Sequence, residues 1–152
     1  MVIIRNPYSR VLSAFLDKHK SRKIRERHGV WEPTPEGFAA FLGYLEAGGL
    51  GGNSHWDLQK KQMLLPLSAY DGVIHFENLR EEMLGFLATR GLHPRPGSLE
   101  ELYPSDRGKK TDATAKLEAF YTRDSRDRVA RLFAEDFEAL GYDTAFPGTL
   151  GS

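Results

Sequence analysis

The chain contains no cysteine. A disulfide framework, a thiolate nucleophile and a cysteine-ligated metal are therefore excluded. It also lacks a long hydrophobic run. No stretch approaches the roughly 20 apolar residues of a membrane span. The apolar start Val2-Ile3-Ile4 is cut short by Arg5, so the opening residues are not expected to act as a secretory signal. Charge of either sign is not in excess: 21 Lys and Arg balance 21 Asp and Glu. Bulk electrostatics thus points to no polyanionic partner, and nucleic acid is not expected. No internal repeat is evident, nor any glycine-rich phosphate loop ending in Lys-Ser/Thr. His19, His28, His75 and His93 are scattered and have no metal-ligand spacing. Asp71, Glu77 and Asp136 are read as caps and structural hydrogen-bonding groups, so no metal site is expected.

What is present is enough chain, 152 residues, for a single domain with a real core. The opening ten residues are the most informative. Val2, Ile3 and Ile4 read as a short buried strand. Asn6 suits an N-cap and Pro7 the first helical position. A strand that hands over directly to a helix gathers backbone N–H groups and the positive end of the helix dipole at one point. Arg5 at the strand end and Ser13 on the helix add a charge and a hydroxyl there. Such a junction suits a phosphate. It is equally compatible with an arginine in a surface ion pair and a serine filling a helix contact.

The helix from Pro7 is expected to run into the basic stretch Lys18 to Arg25. Thr34 and Pro35 start a second helix with Phe38, Phe41, Leu42 and Leu45 on its inner face. Gly48 to Gly52 ends it in a flexible loop. Asp57 to Leu65 reads as a short helix. Val73 to Glu77 reads as a second strand, and Asn78 with Glu81 as a capping-box pair before a helix whose inner face carries Leu79, Met83, Phe86 and Leu87. Ser98 with Glu101 starts a further turn of helix. Ser105 to Thr111 reads as a surface loop, and Ser125 to Leu140 as the last helix. Two strands joined by helical crossovers form a parallel pair. Two parallel strands make a poor sheet alone. The expected class is therefore α/β, helix-rich, with a small parallel sheet built from strands near 2–5 and 73–77.

Arg5-Asn6-Pro7-Tyr8-Ser9-Arg10-Val11-Leu12-Ser13-Ala14-Phe15 resembles the 3′-phosphate-binding segment of sulfotransferases, enzymes that use 3′-phosphoadenosine 5′-phosphosulfate as sulfuryl donor. In that segment an arginine ends a strand and a serine follows eight residues later, a spacing that Arg5 and Ser13 keep. The version here is closest to the carbohydrate sulfotransferase group and its bacterial relatives, the sulfotransferase family 2-like proteins. Asn53-Ser54-His55-Trp56 with Gln59 resembles that group's His-Trp segment. Tyr70-Asp71 with Phe76-Glu77-Asn78-Leu79 resembles its strand and helix start. Phe133, Asp136, Phe137 and Tyr142 resemble its closing helix.

The resemblance implies a single sulfotransferase-like domain over residues 1–152 with a partial P-loop-like fold. It lacks the family's N-terminal strand and phosphosulfate loop, which carries the lysine that holds the 5′-phosphosulfate. The implied donor is 3′-phosphoadenosine 5′-phosphosulfate, without a metal. The implied acceptor is a carbohydrate or similar hydroxyl. The alternative is a non-catalytic remnant or binding module that keeps only part of the nucleotide site. The absence of cysteines near the His-Trp segment favours a cytoplasmic, bacterial relative over a Golgi or secreted one.

Arg5 and Ser13 are the implied donor-binding pair. The catalytic base is unassigned, because in the family it lies upstream of the arginine strand. His55 is the candidate in this chain, either as a base or as a hydrogen-bonded structural histidine. Trp56 either stacks on the nucleotide or packs in the core. Lys109 and Lys110 either close over the donor or lie in a solvated charged loop. The basic run Lys18 to His28 is either a docking face for an anionic acceptor or a solvated helix face. An exposed strand edge beside Val2–Arg5 leaves a homo-oligomer open.

Overall fold

The computed structural model describes residues 1–18, 20–95 and 109–149, with side chains in the last segment described from residue 115 onward. His19, the turn at Ser98 to Glu101 and the loop from Ser105 to Gly108 lie outside the described residues.

Strand β1 (Val2–Ile4) leads across Arg5 and Asn6 into α1 (Pro7–Lys18). Asn6 caps this helix, its Oδ1 accepting from the Tyr8 N–H at 3.0 Å. The basic stretch is not one continuation of α1. The helix stops at Lys18, and a separate α2 spans Arg22–His28. Helix α3 (Pro35–Tyr44) starts as its sequence indicates, with Thr34 Oγ1 accepting from the Gly37 N–H. It runs on through a widened turn, Leu45–Gly49, that breaks at Gly48, where φ is +105° and a side chain would be strained.

Helix α4 is only Gln59–Gln62, shorter than the Asp57–Leu65 expectation. Strand β2 (Val73–His75) follows, then a tight turn at Phe76–Asn78 and α5 (Leu79–Ala88). The expected capping box is absent. The Asn78 amide donates to Glu82 rather than pairing with Glu81.

The chain resumes in α6 (Lys109–Phe120), so Lys109 to Thr111 are helical and not loop. The expected last helix is two. Helix α7 (Arg123–Leu132) has a Thr122–Ser125 capping box, and α8 (Ala134–Leu140) ends at Gly141, where φ is +71°. They part at Phe133, whose backbone leaves helical geometry at φ −109° and ψ 19° while its ring is fully buried.

The two strands pair in parallel, with Val2 opposite Val73, Ile3 opposite Ile74 and Ile4 opposite His75. The helix-rich chain with a small parallel sheet is an α/β fold, as expected. Strand alternation sends Ile4 into the core and leaves Ile3 and Arg5 facing the other way. On α1, Tyr8, Val11, Leu12 and Phe15 are buried against α3, α6 and α7. Rings dominate this core: Phe15 packs on Phe38 and Phe41, and Tyr8 on Tyr121 and Phe137. Each such side chain contributes about 1.5–3 kcal/mol by leaving water. The opposite stripe of α1 carries Arg10, Ser13 and Asp17, spaced three and four residues apart and therefore on one face. Among the described residues no helix is long and apolar enough to cross a membrane.

Candidate functional site

The polar stripe of α1 and the end of β1 face the segment Asn53 to Gln62 across a cleft of ≈ 540 Å³. Arg5 and Ser13, singled out in the sequence from one segment, and His55, from a second, line this one space together with Arg10, Asp17, Gln59 and Phe76.

The helix N-terminus itself is not open to an anion. The Glu77 carboxylate fills it: Oε1 accepts from the Asn6 N–H at 2.8 Å and from Ser9 Oγ at 3.3 Å. Its other oxygen, Oε2, accepts from the Tyr142 hydroxyl at 2.8 Å. Burial and the neighbouring Glu77 charge push the Tyr142 hydroxyl pKa well up, so it remains a donor. The favourable dipole position is thus satisfied internally, and an incoming anion must be met by side chains.

Arg5 is such a side chain. Its guanidinium lies 4.4 Å from the Phe76 ring centroid, and Nε donates to Ser9 Oγ at 3.1 Å. Its two terminal nitrogens have no hydrogen-bond partner among the described residues. Burial lowers its pKa, opposed by Glu77 and Tyr142, yet an arginine stays charged. The Ser13 hydroxyl is half-buried and likewise has no partner among the described residues. A planar fork plus a hydroxyl suits a tetrahedral oxyanion.

Arg10 has a different task. It donates to the carbonyls of Asp57 at 2.6 Å and Ser54 at 3.0 Å, pinning the 54–57 turn to α1. Within that turn the Asn53 side chain accepts from the His55 N–H, and the Asn53 carbonyl from the N–H groups of Trp56 and Asp57. The turn sends neighbouring side chains in opposite directions. His55 is exposed in the cleft, and its ring has no partner among the described residues. Partial burial, with the Lys18 charge adding to it, lowers the His55 pKa and favours the neutral imidazole. Asp17 is the carboxylate of the cleft. Its hydrogen bond to Lys18, a pair 2.6 Å apart, holds its pKa down. With Asp17 balanced in this way, the cleft keeps a positive balance from Arg5 and Arg10.

Trp56 goes to the core. It is fully buried, packs edge-on to Phe41, Tyr44 and His28, and donates Nε1–H to the Gly49 carbonyl at 3.0 Å. The nucleotide-stacking reading is corrected accordingly, since a ring with no exposed face cannot stack on a ligand. Lys109 and Lys110 open α6, and their side chains lie outside the described residues. Along the basic run, Asp17 pairs with Lys18 and Glu26 with Arg22, leaving Lys20, Lys23, Arg25 and Arg27 on an exposed face.

Of the three carboxylates read as structural, Glu77 and Asp136 hold backbone N–H groups, whereas the exposed Asp71 carboxylate makes no hydrogen bond among the described residues. Asp136, fully buried, accepts from the N–H groups of Gln59 at 2.8 Å and Lys60 at 2.9 Å. Among the described residues no cluster of His, Asp or Glu could hold a metal ion. Arg10 and Asp17 were missed by sequence reasoning, although their i, i+7 spacing with Ser13 between them marks one helix face. The tie from Glu77 to α1 carries no local signal at all.

A family model described as "Sulfotransferase family" matches residues 1–143. No curated protein and no solved structure gives a match.

Proposed function

The chain belongs to the sulfotransferase family, and from that premise we propose that it transfers a sulfuryl group from 3′-phosphoadenosine 5′-phosphosulfate to a hydroxyl of a carbohydrate or similar acceptor. The observation that carries the donor assignment is the convergence of Arg5 and Ser13 on one cleft, with the terminal nitrogens and the hydroxyl uncommitted among the described residues. In this reading both residues hold the donor's 3′-phosphate. They contribute binding and orientation, which turn an encounter into a positioned reaction. They sit on the ribose phosphate, away from the reacting sulfur.

The transfer itself is an in-line exchange. The acceptor oxygen bonds to sulfur, the bond from sulfur to the 5′-phosphate oxygen breaks, and adenosine 3′,5′-bisphosphate leaves. The acceptor proton passes to a base. In the cleft, the group free to take it is His55, whose neutral ring is unpartnered among the described residues, whereas Asp17 is engaged by Lys18. No metal is required by this scheme.

Calorimetric titration with adenosine 3′,5′-bisphosphate tests the donor assignment. The expected result is measurable binding that weakens by roughly ten- to a hundred-fold in Arg5→Ala, the range for losing charge-assisted hydrogen bonds. Absence of binding by the wild-type chain would overturn it. Binding without sulfuryl transfer to any hydroxyl acceptor would identify the chain as a nucleotide-binding module instead.

A further inference from the structure

One residue past the end of β1, the Arg5 backbone has left the strand ladder, which ends at the Ile4–His75 pair. Its N–H and C=O still need partners, because burying either one unpaired is costly. Both are supplied by one side chain from 54 residues away. The Arg5 N–H donates to Gln59 Oε1 at 3.0 Å, and Gln59 Nε2 donates to the Arg5 carbonyl at 2.7 Å. A primary amide offers a donor and an acceptor side by side, as a neighbouring strand's peptide group does. Gln59 therefore continues the sheet by a side chain.

We infer that Gln59 is a positioning residue for Arg5, fixing its backbone by this two-bond clamp and so aiming its guanidinium into the cleft. As far as ligand binding is concerned, the inference rests on the reading of Arg5 as the donor-phosphate contact.

Three features give the clamp its direction. Gln59 begins α4, a helix of one turn that has little stability of its own. Its start is set from outside by Asp136, which takes the N–H groups of Gln59 and Lys60. Beyond the clamp, Ser9 and the Phe76 ring fix the Arg5 side chain itself. Backbone and side chain are thus held by different groups. A ligand meeting Arg5 then meets an arginine with part of its ordering entropy already lost, and preorganisation of this kind raises affinity without adding a contact to the ligand. An Arg5 released at its backbone keeps its charge but loses that advantage.

The test has a ligand-free arm and a ligand-bound arm. In Gln59→Leu, of similar size but without the amide, hydrogen exchange at the Arg5 amide followed by NMR is expected to accelerate at least ten-fold. Amides of α3 and α7 keep their wild-type rates. Gln59→Glu retains the acceptor for the Arg5 N–H and loses the donor, so an intermediate acceleration is expected, and it serves if the leucine variant does not fold. Unchanged exchange at Arg5 in either variant would overturn the inference, whatever the nucleotide does.

In the second arm, adenosine 3′,5′-bisphosphate is expected to bind Gln59→Leu about ten-fold more weakly. The same change made in an Arg5→Ala background, followed by Ser13 shifts at millimolar nucleotide, is expected to cause no further loss. An equal loss in both backgrounds would mark Gln59 as a merely structural residue and overturn the positioning role. If the wild-type chain binds no nucleotide, the donor assignment falls, while the exchange measurement still decides the clamp.

Discussion

Replacing Glu77 should damage the protein more than its half-exposed position suggests. Its carboxylate receives the Asn6 N–H at 2.8 Å, the Ser9 hydroxyl at 3.3 Å and the Tyr142 hydroxyl at 2.8 Å. These donors belong to the β1–α1 junction, the first turn of α1 and the segment after α8. Glu77→Ala leaves all three without that acceptor. Hydrogen bonds to a charged group contribute about 1.5–3 kcal/mol each. The Ser9 contact is long, and Ser9 keeps an alternative in the Asn6 carbonyl at 3.1 Å, so two bonds count fully. Partial exposure lets water replace some of the loss. The expected destabilisation is about 2–4 kcal/mol, a large part of a typical 5–15 kcal/mol domain stability. Urea unfolding should show a lower midpoint with an unchanged slope. The melting temperature should fall by roughly 4–16 °C, at about 2–4 °C per kcal/mol for a chain of this size. Tyr142→Phe should cost about 1–2 kcal/mol by itself and almost nothing in the Glu77→Ala background, because the two residues share one bond. A Glu77→Ala change below about 0.5 kcal/mol would refute the idea that this carboxylate ties the two strand ends to α1.

Three further outcomes follow from the geometry. Ser13→Ala should leave the unfolding midpoint within about 0.5 kcal/mol of wild type, since the hydroxyl has no partner to lose among the described residues, while adenosine 3′,5′-bisphosphate affinity drops roughly five- to ten-fold by calorimetry. Trp56→Phe should destabilise by about 1–3 kcal/mol, through lost volume and an unpaired Gly49 carbonyl, with nucleotide affinity held within about two-fold; a selective loss of affinity would restore the stacking role. Burial, reinforced by Arg27, lowers the His28 pKa, while its Nδ1 meets the Tyr44 hydroxyl at 2.7 Å and its buried Nε2 has no partner among the described residues. The unfolded chain then binds more protons than the folded one below the ordinary histidine pKa of about 6.5, so stability should fall as pH drops through that value. His55 acts in the same direction. His28→Asn should therefore flatten, without abolishing, the pH dependence of the urea midpoint between about pH 7.5 and 5.5.

Local signals in the sequence were reliable where one segment settles the outcome. Val2 to Ile4 is a strand, Asn6 and Pro7 start α1, Thr34 and Pro35 start α3, and the parallel pairing follows from helical crossovers. Helix α6 went unread because its inner face offers little beyond Leu117 and Phe120 among alanines and charges. The break at Phe133 went unread because the apolar stripe continues through it, and the departure shows only in the backbone angles of that one residue. The same limit applies to the cleft. Arg5, Ser13 and His55 were legible as residue types, and the fold does bring them together. The helix dipole beside Arg5 looked available, but a carboxylate 71 residues away occupies it. Trp56 shows the converse: an aromatic beside a histidine in a glycine-rich stretch looks like a ligand platform until its neighbours are known.

The parallel pairing of β1 with β2 also has a kinetic consequence. Val2 meets Val73 at a sequence separation of 71, and Arg5 is fixed only when Gln59 and Phe76 have arrived beside it. Contacts so far apart in sequence close late, after the entropy of a long loop has been lost. Helices α1 and α3 can collapse on their shared rings well before that. Nucleotide-binding capacity is therefore expected to emerge in the slowest refolding phase, behind the recovery of helical signal, so that a chain can look folded by its helices while its cleft does not yet exist.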